Sequence, residues 1–157
     1  MNDIVIREAG LEEMPRIAEL KRQIHNVHVN GRPDLFTPYS SLDAFADHSA
    51  AKGCALLLAE QAGEPVGYAM YQLVHRPSSP YMKERHFLHV EEFCVDEKHQ
   101  RMGVGRRLMD GLKALACEKG CPRIELDVWR FNEGAKQFYE AVGMKPFRTF
   151  MEMNVNE

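Results

Sequence analysis

What this sequence lacks narrows its possibilities first. No apolar run approaches the roughly 20 residues that a bilayer span needs. The longest, Cys54-Ala-Leu-Leu-Leu-Ala59, is far shorter, so no membrane partner is expected. There is no surplus of positive charge: 20 Lys and Arg stand against 23 Asp and Glu, a formal net charge of −3. Bulk attraction to nucleic acid is therefore not expected. Cysteine is sparse. Cys54, Cys94, Cys117 and Cys121 show no paired C-x-x-C spacing, and no His set completes them. No metal or disulfide is expected from them, and the first two read as buried small hydrophobes in apolar strands. Asp3, Arg7 and Glu8 near the start do not fit a secretory signal peptide, which leaves the cytoplasm as the expected compartment. Repeats, linkers and low-complexity tracts are also missing. The 157 residues are read as one domain, 1–157, large enough for a single core.

Periodicity supplies the elements. Ile4–Arg7 reads as a strand. Leu11, Met14, Ile17, Ala18, Leu20 and Ile24 recur at helical spacing, predicting a helix from Glu12 to about Val29. Ser41 or Asp43 is placed as the cap of a second helix ending near Ala51. Ala55–Glu60 and Val66–Val74 flank a turn at Gly63 and read as a hairpin, followed by a strand over His86–Val95. Val104, Leu108, Leu112, Leu115 and Ala116 mark a helix stopped by Gly120. Ile124, Leu126 and Val128 alternate with polar residues as a fifth strand. Asn132 caps a helix that ends at Gly143, and Phe147–Val155 reads as a last strand. The predicted order is β-α-α-β-β-β-α-β-α-β.

The segment from Val95 to Leu108 carries the most information. It passes from an apolar strand through a glycine-bearing loop into an amphipathic helix. Backbone N–H groups and the positive end of the helix dipole are aimed there, making a socket for a phosphorylated ligand. Gly103 and Gly105 allow close approach of an anion, while Arg101, Arg106 and Arg107 add charge. A dinucleotide fingerprint needs its third glycine at position 108, where Leu108 stands. A P-loop needs Gly-Lys-Ser/Thr, and that tripeptide is missing. The spacing present is Gln100-x-x-Gly103-x-Gly105.

That spacing after a strand resembles the cofactor signature of the GNAT superfamily of acyl-CoA-dependent N-acyltransferases, Q/R-x-x-G-x-G/A. The segment Asn132-Glu-Gly-Ala-Lys-Gln-Phe-Tyr-Glu-Ala-Val-Gly-Met-Lys-Pro-Phe147 is similar to the family's N-x-x-A-x-x-F-Y-x-x-x-G-F, with Met144 in place of the usual aromatic. With the element order, the resemblance covers nearly the whole chain and is best from His89 to Phe147. It implies an α/β (α+β) GNAT fold, a mixed central sheet of about six to seven strands flanked by about four helices.

The resemblance also implies roles. Gln100, Arg101, Met102, Gly103, Val104, Gly105 and Arg106 hold the diphosphate of acetyl-CoA. The backbone at Phe93, Cys94 and Val95 polarises the acetyl carbonyl. Splaying between that strand and the one at Asp127 admits the pantetheine arm. Asn132 hydrogen-bonds the cofactor, and Tyr139 protonates the departing thiolate.

An amine acceptor is mostly protonated at neutral pH and must lose a proton before it attacks. Glu91-Glu92-Phe93-Cys94-Val95 is similar to the acid-rich fourth strand of polyamine acetyltransferases. On that match Glu91 is the base and Glu92 helps to hold a cationic substrate. Both equally fit the description of strand carboxylates paired to Lys or Arg, on opposite faces unless a bulge reorients them. His89 is a further candidate. His25 and His28 read as a solvated helix face, and Tyr71, His75 and Tyr81 as candidate walls of an acceptor pocket. Asp96 and Glu97 add acidity or simply offset Lys98 and Arg101.

The expected activity is transfer of an acetyl group from acetyl-CoA to a primary amine on a small cationic molecule. Acetylation of a protein N-terminus or lysine is the alternative. A coenzyme A-binding module without turnover is another, and a nicotinamide site using Glu125 or Asp127 is weaker. Phe147–Met153 is apolar enough to be covered in a homodimer.

Overall fold

The computed structural model describes residues 3–38 and 53–156. It divides into two compact units, Met1–Asp127 and Val128–Glu157. In the first unit β1 spans Ile4–Glu8, and a 3-10 turn at Leu11–Glu13 leads into α1, Met14–Gly31. Then come β2 (Ala55–Gln61), β3 (Glu64–Arg76) and β4 (Arg85–Val95). A 3-10 turn at Glu97–His99 precedes α2 (Val104–Glu118), and β5 (Ile124–Leu126) completes the unit. The second unit holds α3, Glu133–Ala141, and beyond it the described residues form no regular element.

The strands lie in the order β1-β2-β3-β4-β5. The first three pairings are antiparallel and β4–β5 is parallel. Alternation assigns each strand residue to a face. Leu58, Tyr68, Met70 and Cys94 form a buried cluster with Ile17, Ala18 and Leu20 of α1. The opposite face receives α2. A Cβ on Gly67 would meet Cys94 O at 2.9 Å and the Val104 and Leu108 side chains at 3.2 Å. A side chain there would push α2 off the sheet. Burial of Leu108, Met109 and Leu112 contributes about 1.5–3 kcal/mol for each.

Two irregularities in β4 shape the region beside α2. The β3–β4 register runs Met70↔Glu92 and then Tyr71↔Val90, so Glu91 is skipped as a β-bulge. The β4–β5 ladder covers only Leu88↔Ile124, His89↔Glu125 and Val90↔Leu126. From Glu91 to Val95, β4 has no neighbouring strand on its β5 side among the described residues.

The mixed sheet and flanking helices match the expectation, but the counts do not. Among the described residues there are five strands and three helices, against six to seven and about four. The expected helix from Ser41 or Asp43 to Ala51 falls outside the described residues. The fifth strand stops at Leu126, because the alternation through Val128 has no ladder to join. No strand forms over Phe147–Val155. β-propensity expresses itself only against a partner strand, and the described sheet offers this segment none.

Candidate active site

The end of β4 and the start of α2 are joined by Asp96–Gly103, whose conformation is set by a few residues. Arg101 has φ 63° and Gly103 φ 86°, both in the left-handed region that favours glycine. α2 begins directly after Gly103, and its opening turn is closed by Arg107 N–H donating to Gly103 O at 3.1 Å. The amides of Val104, Gly105 and Arg106 precede that bond and have no acceptor within the helix. The turn lies at the surface: Met102 is 56% exposed, and Arg101, Gly103 and Arg106 are exposed too. Orphan amides at a helix start, a dipole end and two exposed arginines suit a pyrophosphate. Gln100 reaches back, donating from Nε2 to Val95 O at 3.4 Å. Arg107 takes a structural part instead, donating to Ile4 O of β1 at 2.7 Å.

Asp96 is buried to 4% exposure just before this turn, and sequence reasoning did not pick it out as a structural hub. Its carboxylate accepts from Arg16 (3.1 Å), Gln23 (2.9 Å) and His99 Nδ1 (2.8 Å). Burial acts to raise its pKa, but the hydrogen bonds from Gln23 and His99 and the Arg16 charge hold it below the ordinary carboxylate value. Its partners are therefore not Lys98 or Arg101. Glu97 N–H adds a bond to Gln23 Oε1 at 3.0 Å. An open polar cleft of about 540 Å³ lies over this network, also lined by Glu19, Glu64 and Lys98.

The two glutamates of β4 differ sharply. Glu92 accepts from Lys21 Nζ at 2.7 Å and from Tyr68 O–H at 2.7 Å, one partner on each carboxylate oxygen. The bulged Glu91 lies beside His89, with His89 Nε2 3.6 Å from Glu91 Oε1. Phe93 and Val95 alternate with the buried Cys94. The Cys94 thiol donates to Leu20 O at 3.2 Å, and burial pushes its pKa up to about 12, with Glu92 adding to the effect. A thiol so held is no nucleophile near neutral pH. None of the four cysteines forms a disulfide.

In the second unit, Asn132 caps α3, its Oδ1 accepting from Ala135 N–H at 3.2 Å. A carboxamide also carries two N–H donors, so the cap does not exhaust its chemistry. Tyr139 is half-buried and lies edge-on to Phe138, with ring centroids 5.6 Å apart. Seven positions separate it from Asn132, about two turns along one side of the helix.

Other candidates are dispersed. Tyr71 is buried, and burial raises its pKa. His75 lies four residues further along β3, roughly 13 Å away, and Tyr81 is 94% exposed. His25 and His28 pack on Phe36, with ring centroids 6.0 and 5.1 Å away, so they are not the solvated face expected. Desolvation, with the charge of Lys21 second, lowers the pKa of His28. Glu125, a candidate for a ribose, is held by Arg85 at 2.7 Å and Arg123 at 3.1 Å. Leu108 is fully buried where a third glycine would be needed. Both facts weigh against a nicotinamide site. No described helix is long and apolar enough to cross a membrane.

Comparison with known proteins bears on the fold and the family. Residues 17–144 match the model of the acetyltransferase (GNAT) family. The thialysine N-epsilon-acetyltransferase of Bos taurus is 23% identical over 146 residues, covering 89% of this chain and 83% of the bovine protein. A crystal structure of a tetramutant of the BH1408 protein from Bacillus halodurans is 31% identical. It superposes with a TM-score of 0.88 over 96% of this chain and 99% of that one. The aminoglycoside N-acetyltransferase AAC(6')-Iy in complex with CoA has a TM-score of 0.75 at 17% identity, covering 98% and 95% of the two chains. With the family model spanning most of its length, this chain belongs to the GNAT acetyltransferase family.

Proposed function

We propose that this protein transfers the acetyl group of acetyl-CoA to the primary amine of a small cationic molecule in the cytoplasm, residues 1–157 acting as one catalytic domain. The observation that carries the reading is the arrangement in the first unit. The helix start at Val104–Arg106, reached through a surface turn, follows a strand end that carries a bulged carboxylate and has no β5 neighbour among the described residues.

Each part of acetyl-CoA has residues to meet it. Gln100 through Arg106 hold the diphosphate, with Arg101 and Arg106 supplying charge. The open edge of β4 at Phe93, Cys94 and Val95 offers backbone groups to the acetyl carbonyl. Asn132 and Tyr139 take their roles from the match to the family motif: Asn132 binds the cofactor and Tyr139 is the general acid.

Chemistry then proceeds by direct attack. Glu91, alone or through a water, accepts the proton of the ammonium. The amine nitrogen bonds to the thioester carbonyl carbon and the C–S bond breaks. The Tyr139 hydroxyl gives its proton to the departing thiolate, and the proton that the nitrogen sheds to become an amide passes through solvent to restore the phenol. A phenol near 10 can donate to a thiolate whose conjugate acid is near 8.5 once that thiolate forms. Cys94, held neutral, does not favour a covalent acyl-enzyme route.

A cationic acceptor is supported by the acidity of β4 and by relatives named for amines, thialysine in one case and aminoglycosides in another. The fixed Glu92–Lys21 pair leaves Glu91 as the stronger base candidate. The exposed apolar segment from Phe147 to Val155 points to a homodimer.

The test is calorimetry with acetyl-CoA and then a thiol-release screen over polyamines, basic amino acids, amino sugars and basic peptides. Saturable acetyl-CoA binding and turnover with small amines are expected. Absence of acetyl-CoA binding, or turnover confined to the peptides, would overturn the reading.

A further inference from the structure

The β3–β4 hairpin brings together a group of side chains that the acetyl-transfer chemistry does not use. His75 and His86 are direct cross-strand partners in the antiparallel register. Directly opposed residues share one face of a sheet, with Cβ atoms about 4.5–5.5 Å apart. Their imidazoles stack at 4.3 Å between centroids with planes 7° apart. Glu84, next to the start of β4, turns its carboxylate onto the pair. Glu84 Oε1 is 3.0 Å from His86 Nε2 and 3.6 Å from His75 Nε2. The three donor atoms lie within 4.8 Å of one another, and all three residues are exposed.

We propose that His75, Glu84 and His86 form a binding site for a borderline divalent transition ion of the Zn²⁺, Ni²⁺ or Cu²⁺ type. Donor spacing is the first reason. Bonds of about 2.0–2.2 Å in tetrahedral or octahedral geometry separate neighbouring donors by roughly 3.0–3.6 Å. The carboxylate already stands within that range of both imidazoles. Donor chemistry is the second. Two imidazoles with one carboxylate suit zinc, nickel and copper, whereas magnesium and calcium prefer all-oxygen sets. The third reason is that the hairpin ladder, through its backbone register, fixes the proximity of the two histidines. The ion therefore does not have to gather ligands from separate elements.

Binding needs one adjustment. Parallel rings do not aim both Nε2 lone pairs at one point, so each must tilt toward the other. Both side chains are about half exposed, which leaves them room to tilt. Arg85, the next residue along β4, is committed elsewhere: it bonds Glu125 at 2.7 Å and lies over the Phe87 ring. Water completes the coordination, since three protein donors at a surface leave positions open. The ion would tie the two strands across the 77–84 connection. The site is independent of the acetyl-CoA reading, because none of its residues belongs to that machinery.

The experiment is calorimetric titration of the full chain, free of any polyhistidine tag, with Ni²⁺ and separately with Zn²⁺. It is done in a Cys117→Ser background, since Cys117 is an exposed thiol. A one-to-one isotherm is expected. His75→Ala, His86→Ala and Glu84→Gln should each weaken it by tenfold or more while leaving the far-ultraviolet circular dichroism unchanged. With Cu²⁺, electron paramagnetic resonance should show hyperfine coupling to two nitrogens, reduced to one in His86→Ala. No heat with either ion at millimolar concentration would overturn the proposal. So would affinity that all three substitutions leave unchanged, because the ion would then be adventitious.

Discussion

Glu91 and Glu92 are adjacent in sequence and opposite in circumstance. Glu92 has one carboxylate oxygen on Lys21 and the other on Tyr68, with only 16% of its side chain and of Lys21 exposed. Removing that charge leaves a half-buried ammonium poorly answered, at a cost of about 1–3 kcal/mol. Glu91 sits on the bulge with His89 3.6 Å away, where proton uptake leaves the Glu92–Lys21 pair intact. The two should therefore separate by assay. Glu91→Gln should lower kcat by about 10²–10⁴-fold, the usual contribution of a positioned acid or base, with acetyl-CoA affinity and thermal stability unchanged. Tyr139→Phe should do the same. Glu92→Gln should instead lower the unfolding temperature. Steady-state thiol release and thermal denaturation on the same variants read both effects. A Glu91→Gln enzyme with full kcat would remove Glu91 from the mechanism.

At the level of elements, Asp96 ties the end of β4 to α1 and to the turn that carries the cradle. Arg16 and Gln23 come from α1, and His99 from the turn itself. The folded-state pKa of Asp96 lies below its ordinary value. The unfolded chain therefore takes up the proton first as pH falls, and stability is lost on the acid side. The contribution is fully present above the unfolded pKa of about 3.9. It disappears as pH drops through the lower folded value. Asp96→Asn should cost about 2 kcal/mol at pH 7, and the gap to the parent protein should narrow below about pH 4. Urea unfolding at the two pH values checks this; a gap independent of pH would sink it. The two partners on α1 could not be read from the sequence, because Arg16 and Asp96 are 80 positions apart and only the packing of α1 brings them together. The same limit hid Lys21 and Tyr68 at Glu92. The bulge at Glu91 depends on how β3 and β4 pair, which alternation within one strand does not encode. Local features were legible. The hairpin of β2 and β3, the start of α2 after Gly103 and the Asn132 cap all rest on short-range chemistry. The histidine pair at the hairpin tip was half legible: counting the register back from the connection would have placed His75 opposite His86.

Among the described residues, the segment after α3 leaves a run of apolar side chains exposed. Phe150 is 99% exposed, Met151 84%, Met153 86% and Val155 83%. Covering each stabilises by about 1.5–3 kcal/mol, and a monomer rarely leaves such a contiguous patch in water. A second copy answers the segment's own pattern. Two copies of Phe147–Met153 paired antiparallel about a two-fold axis at Phe150 set Phe147 against Met153 and Arg148 against Glu152. Phe147 then meets Met153, Phe150 meets its own copy, and each cation meets a carboxylate across the strands. Such pairing also gives the segment the ladder that the described sheet does not supply. Light scattering coupled to gel filtration should give twice the 18.0 kDa of the chain. Phe150→Asp should shift the population to monomer. Arg148→Glu should weaken the dimer by placing like charges opposite each other, and the double change Arg148→Glu with Glu152→Arg should restore it. A wild-type protein that elutes as a monomer removes the two-fold pairing; a dimer indifferent to Phe150→Asp and Arg148→Glu moves the interface elsewhere on the molecule.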